Sequence, residues 1–308
     1  MELREETWNW LPAFLQVAES GSIVAAARQL DLTPAAVSRT VRLLEDRLGQ
    51  PLFTRVGRSV ALNARGEALR DAVRDAVGSV DRGLLRTRAN PFARPLRVAS
   101  LGVLSEHFVV DALLDLKRDH PELTPEHQNL RTAEANQALA QGALDVAFYY
   151  EALSAEPLRI ERLGQTTTSV YCGCSHPLFR ARRVTRKQLL SHPFSVPQLG
   201  DSGRILDGWP SELQREVGMR ISLLRSNLKV CLSGALLTVL PDITALDALR
   251  EGRLRRFAVD ELHPIEVFTA QHEADVEQAP THALVERVRQ RLNDAQREIR
   301  AVHRGRRG

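Results

Sequence analysis

Three cysteines in 308 residues leave no room for a disulfide framework, as in a chain kept in a reducing compartment. No apolar run approaches the length needed to cross a bilayer. Glu2, Glu5 and Glu6 stand where a secretory signal needs a basic and then an apolar start, so no signal is expected and the cytoplasm is favoured. Lysine is almost missing: Lys117, Lys187 and Lys229 are the only ones, and arginine supplies the other basic side chains. The sequence contains no nucleophile elbow, phosphate loop, zinc-ligand spacing or dinucleotide fingerprint. Its nine histidines are scattered. These absences argue against an enzyme and call for neither metal nor cofactor.

The formal net charge of +4 is modest. In the first 66 residues eight arginines face seven acids, so any affinity for nucleic acid must come from placement of charge, not its bulk. That placement is visible. Gly21 to Leu30 reads as a short helix with Ser22 as its cap, followed by a turn at Asp31, Leu32 and Thr33. A second helix opens with Thr33 as cap and Pro34 at the first helical position, where a missing N–H costs nothing. Val37, Val41, Leu44 and Leu48 make one apolar stripe on it. Ala35, Ser38, Arg39 and Arg42 fall on the other face. Small residues at the helix start allow close approach to a groove floor, Ser38 can pair with a base edge, and the arginines can reach phosphate or guanine. Leu52, Phe53 and Val60 to Leu62 flank a glycine turn, which predicts a two-stranded wing with Arg55 and Arg58 near its tip. An arginine there can enter a narrow minor groove. The order of caps, stripe, wing and arginines predicts double-stranded DNA as a partner.

The same stretch resembles the N-terminal domain of LysR-type transcriptional regulators. The resemblance is carried by Phe14, Val17, Ala18, Gly21, Ser22, Ala26, Ala27, Val37, Ser38, Arg39, Leu44, Glu45, Leu48, Gly49, Leu52, Phe53, Arg55, Leu62 and Gly66. Two departures are Pro34, one place earlier than usual, and Asn63 in place of a threonine. Both still suit a helix start.

From Asn63 to Thr87 the chain reads as one helix with an apolar seam at Leu69, Val73, Ala76, Val80 and Gly83 or Leu84. The resemblance makes this the dimerising linker, with a tetramer expected from pairs of dimers. Asn90 to Pro95 makes a hinge. Strand and helix then alternate: Leu96 to Ser100, Phe108 to Asp119, Glu126 to Leu130, Thr132 to Gln141, Asp145 to Tyr149. This order predicts a mainly parallel sheet with ligands at the strand carboxyl ends. A second lobe begins near Ser169, and the chain returns to the first around Glu266 to Thr269.

The expected fold is therefore α/β, with an N-terminal all-α winged helix-turn-helix. The resemblance makes the remainder a two-lobed, periplasmic-binding-protein-like effector domain. The expected boundaries are 1–63 for the DNA-binding domain, 64–89 for the linker helix and 90–295 for the effector domain. Lobe 1 spans 95–163 and 266–295, lobe 2 spans 164–265, and 296–308 is a basic, solvated tail. Gly142 to Ala147, His176 to Leu178 and His192 to Phe194 match family motifs. The stretch Val230 to Pro241 departs from it, with one glycine where two are usual.

Ser100 ends a strand before a helix, so its hydroxyl and nearby N–H groups could receive a carboxylate. The resemblance places effector contacts there and at Leu101, and on the facing lobe at Ser202 and Gly203. Arg131 and Thr132 follow the second strand on the same rim. Ordinary caps and turns favour the same residue types. Arg131 and Arg204 facing inward would favour an anionic effector. Cys172, Cys174 and His176 would share a face of an extended strand, yet they make an incomplete metal set. What the resemblance implies is a regulator that binds an interrupted palindrome near a promoter, answers to a small molecule and recruits RNA polymerase.

Overall fold

The computed structural model describes residues 5–56, 59–87, 89–198, 205–276 and 278–305. The chain forms two compact units, Met1–Thr87 and Arg88–Gly308.

In the first unit, α1 (Glu5–Ser20), α2 (Ile23–Gln29) and α3 (Pro34–Leu48) precede a hairpin of β1 (Phe53–Val56) and β2 (Ser59–Leu62), and α4 (Ala64–Arg86) follows. The helix starts are set by side-chain caps. Ser22 Oγ accepts from the Ala25 N–H at 3.3 Å, and Thr33 Oγ1 accepts from Ala36 N–H at 3.2 Å. Gly49 at φ +67° closes α3, where a left-handed residue suits glycine. Val37, Val41 and Leu44 are buried, and Ala26 and Ala27 are fully buried against Val37 and Val41. Small side chains at that crossing let α2 and α3 approach closely.

Glu45 links helix to wing: its Oε1 accepts from Leu52 N–H at 2.7 Å and Phe53 N–H at 3.3 Å. Asn63 caps α4 by accepting from Gly66 N–H at 2.9 Å, while its amide donates to Pro51 O at 2.8 Å. On α4 the expected seam divides. Val73 is buried and Leu69 packs with it against Leu11, Phe14 and Leu44 of the same unit. Val77, Val80 and Leu84 are exposed.

The second unit holds two five-stranded sheets. In chain order come β3 (Pro95–Ser100), a π-helical turn (Ser105–Val109), α5 (Val110–Asp119), β4 (Thr124–Gln128), α6 (Thr132–Ala140), β5 (Val146–Tyr149) and β6 (Leu158–Thr166). Then follow β7 (Thr168–Gly173), α7 (Arg186–Leu190), β8 (Phe194–Val196), β9 (Val217–Arg220), α8 (Leu224–Ser233), β10 (Leu237–Pro241), α9 (Asp242–Arg250) and β11 (Leu254–Phe257). The chain closes with β12 (Ile265–His272) and α10 (Ala279–Gly305). Sheet order is β4-β3-β5-β12-β6 in lobe 1 and β11-β7-β10-β8-β9 in lobe 2.

Three expectations are corrected. The sheets are mixed, not mainly parallel: β12 runs antiparallel to both its neighbours, and β7 to both of its own. The return strands that carry the chain between lobes cannot keep the direction of a pure βαβ series. Second, β6 belongs to lobe 1 through Thr166, so lobe 2 starts at Thr168, not residue 164. Third, the supposed tail is helix. Ile299 is buried, and Val302 packs onto the lobe 2 cluster around Tyr171 and Leu249, so apolar spacing carries α10 past residue 296 to Gly305.

Candidate functional site

The first candidate surface is the outer face of α3. Thr33, Pro34, Ala35, Arg39 and Arg42 are exposed and Ser38 is half-buried, on the side away from Val37, Val41 and Leu44. Arg39 and Arg42 have no ion-pair partner among the described residues, which leaves both guanidinium groups available to phosphate oxygens. Ser22 sits at the start of α2 with its hydroxyl accepting the cap bond. Thr33 Oγ1 likewise accepts the cap bond of α3, on an exposed residue. Arg55 is paired through its backbone with Val60 in the hairpin. Arg58 lies outside the described residues, and so do Ser202, Gly203 and Arg204.

The second is a cleft of about 560 Å³ between the two lobes of the second unit. Lobe 1 lines it with Leu101 to Glu106, Asn129, Arg131, Thr132, Tyr149, Tyr150 and Glu151; lobe 2 adds Gln198, Asp207, Ile221 to Arg225 and Asn227. Leu101, Arg131 and Thr132 from the sequence reading meet there. Ser100 does not: it is buried behind the wall. Its hydroxyl lies 2.8 Å from His127 Nε2 and 2.9 Å from Ser105 Oγ, and Ser105 is the serine that lines the cleft. Nothing local in the sequence marks Ser105 or His127 as belonging to this wall. The register Val98↔His127 places the imidazole one strand away from β3, a neighbour visible only once β4 is paired.

Most of the wall is apolar, and its charges are largely engaged. Asp207 pairs with Arg215 at 2.6 Å, both buried, and Arg215 stacks 4.6 Å from the Trp209 ring centre. Burial pushes the Asp207 carboxyl above its ordinary value, and the Arg215 charge opposes that. Glu106 of lobe 1 meets Arg225 of lobe 2 at 3.3 Å across the mouth. That pair is solvent-exposed and contributes little to holding the lobes together.

Burial lowers the proton affinity of His107, His127 and His176 below the ordinary 6.5. For a histidine whose folded pKa is depressed, the unfolded chain binds the extra proton first. Stability is therefore full above pH 6.5 and falls as pH drops below it. The second unit should melt at a lower temperature at pH 5 than at pH 7, and His127→Asn should flatten part of that slope. A melting temperature independent of pH over this interval would refute the assignment.

The three thiols are free, and no disulfide joins them. Cys172 and Cys231 are buried and Cys174 is exposed beyond the end of β7. Burial pushes the Cys172 thiol up to about 11 and the Cys231 thiol up to about 12, opposite to an activated thiolate. His176 Nδ1 accepts from Leu178 N–H and serves its own turn. Among the described residues no cluster has the composition of a metal site. No described helix is long and apolar enough to cross a membrane.

Comparisons with known proteins find matches for both units. Residues 8–67 match the family described as bacterial regulatory helix-turn-helix protein, lysR family, and residues 89–293 match the LysR substrate binding domain. The transcriptional regulator TrpI of Pseudomonas aeruginosa is 30% identical over 259 residues, covering 80% of this chain and 84% of that protein. Among solved structures, a full-length OxyR variant from Pseudomonas aeruginosa superimposes with a TM-score of 0.72 at 19% identity, covering 94% of this chain and 96% of that one. Full-length CbnR complexed with its target DNA gives 0.60 at 19% identity over 94% of this chain and all of the other.

Proposed function

The chain belongs to the LysR family of DNA-binding transcriptional regulators, and from that premise we propose that it binds an interrupted palindromic promoter site as a dimer of dimers and answers to a small molecule in the interlobe cleft. The observation that carries the reading is the face of α3, where caps, burial and exposure together leave Ala35, Ser38, Arg39 and Arg42 outward. In the proposed complex Thr33 and Pro34 set the start of the recognition helix, and Ala35 and Ser38 face base edges. Arg39 and Arg42 contact phosphate or base, while Arg55 and Arg58 serve the wing. The exposed Val77, Val80 and Leu84 supply a seam for a second copy of α4, and two-fold symmetry then matches a palindrome. A ligand that fits one lobe arrangement better than another shifts the population toward it and alters the spacing of the DNA-binding pairs, and with it polymerase recruitment. The work is done in the cytoplasm.

The apolar wall of the cleft favours an effector with a sizeable hydrocarbon part, and Arg131 at its rim suits an anionic group. Selection of genomic DNA with purified protein, sequenced beside a Ser38→Ala/Arg39→Ala control, tests the whole reading. Wild type should recover one interrupted palindrome and the control should not. Recovery of no preferred sequence at any salt concentration would defeat it. Arg42→Ala alone should flatten the slope of log affinity against log salt by about one phosphate, roughly 0.9 in slope. An unchanged slope would remove Arg42 from the interface.

A further inference from the structure

A second cavity, of about 260 Å³, lies beneath α10 where the chain crosses between lobes. None of its lining residues lines the effector cleft. The two cavities nevertheless share a wall. Pro241 and Ile265 face the cleft, and their chain neighbours Asp242 and Pro264 face the cavity. The junction of β10 with α9 and the crossover that enters β12 therefore form a partition with a ligand space on each side.

α10 roofs the cavity and touches both lobes. Leu284, Val288 and Leu292 pack into the lobe 1 core and Val302 into the lobe 2 cluster, with Ile299 and Arg300 over the cavity between them. At the inner end Asp242 is buried and accepts from Thr167 Oγ1 and Tyr171 Oη, both at 2.6 Å. Beside it the Thr168 hydroxyl, on a residue more than nine-tenths buried, has no hydrogen-bond partner. A buried hydroxyl left unpaired is costly, and a ligand that completes it gains that cost back. Arg256 donates from Nε to Ser169 Oγ at 2.7 Å, and Arg300 stands exposed at the rim. Neither arginine has a carboxylate partner among the described residues.

We propose that this cavity is a second small-molecule site, taking a zwitterion of amino-acid size with its ammonium at Asp242 and Thr168 and its carboxylate at Arg256 and Arg300. The lining is balanced in charge, with Asp242 and Asp260 against the two arginines, which suits a zwitterion better than a simple anion. At roughly 30 Å³ per water the space equals about nine waters, room for a ligand of roughly that many non-hydrogen atoms. The occupant touches both crossovers and the helix that spans them, so it favours one lobe angle. Linkage makes the effect reciprocal: whatever fills the cleft changes affinity here by the same factor. That coupling rests on the cleft being the effector site; binding under α10 does not.

The full chain is titrated with each of the twenty protein amino acids, and with acetate, propylamine and inorganic phosphate, by calorimetry and ligand-observed NMR. At least one amino acid should bind, and acetate and propylamine should each bind at least about tenfold more weakly. Thr168→Val removes an unpaired hydroxyl at constant shape and should leave the fold intact; Arg300→Ala removes an exposed side chain. Each should weaken the amino acid at least about tenfold without changing DNA affinity in its absence. Hydrogen exchange at 258–264 should slow when the ligand is bound. No amino acid bound at millimolar concentration would overturn the proposal, as would phosphate binding alone. So would binding that ignores both variants but disappears in Ile221→Trp, which fills the cleft. Amino-acid binding in a chain that selects no DNA sequence would leave this site standing and remove the regulatory reading instead.

Discussion

Gly66→Ala should cost the first unit about 2 kcal/mol or more and take DNA binding with it. A methyl group on that residue would sit 2.2 Å from the carbonyl oxygen of Leu52 and 2.7 Å from Leu62 Cδ2. The leucine side chain can move. The carbonyl cannot do so cheaply, because it accepts from Asn63 N–H at 3.0 Å, where the wing hands the chain to α4. Against this, alanine is the better helix former by about 1 kcal/mol. The clash wins, since backbone on both sides must separate. Gly83 provides the matched control. It lies on the same helix with nothing within 4 Å of the added methyl, so Gly83→Ala should stabilise by up to about 1 kcal/mol. Urea unfolding followed by circular dichroism reads both variants. Equal midpoints for Gly66→Ala and the parent would show that the helix start and the wing are not in the contact described.

Arg94→Ala should cost the second unit about 3–5 kcal/mol, the expected loss when one member of a buried ion pair is removed. Arg94 and Asp145 meet at 2.8 Å with side chains only 2% and 10% exposed, so the abandoned carboxylate has little water to turn to. The guanidinium also donates to Gln278 Oε1 at 2.9 Å and to Pro95 O at 3.1 Å, while Asp145 takes Arg97 N–H at 2.7 Å. One pair thus fastens the entrances of β3 and β5 and the approach to α10. In Arg94→Ala/Asp145→Ala no charge is stranded, so the double variant should be less damaged than the two single losses summed, by about 1 kcal/mol or more. Additive losses would mean that the two groups do not interact.

What could be read from the sequence divides along physical lines. Caps and amphipathic stripes are local, and Ser22, Thr33, Pro34 and the Val37, Val41, Leu44 stripe stand where their spacing places them. Neighbours from distant segments were out of reach. Ser100 was legible as a strand end, yet its diversion to His127 depends on the parallel register of β3 with β4. The antiparallel return of β12 was equally hidden, because a short apolar run does not record its direction. The far end of α10 reads as a tail because Arg297, Arg300, Arg304 and their neighbours outweigh Ile299 and Val302 in any composition window. Two apolar residues one turn apart, with a lobe to meet, hold the helix. The cleft was legible as a place between lobes and not as a set of side chains. Leu101, Arg131 and Thr132 line it, while Ser105, Asn129, Tyr149 and Ile221 come from elements that only the fold brings together.

The position of β12 also orders events on the ribosome. It lies between β5 and β6, so lobe 1 cannot close its sheet until residues 265–272 have been made, after all of lobe 2. Until then β5 has one unpaired edge and β6 has no partner strand, and Leu163 lacks Val267 and the α10 residues it clusters with. The inserted lobe can mature while its host waits. A nascent chain stalled before Ile265 is the species most prone to stick to its neighbours and most in need of a chaperone.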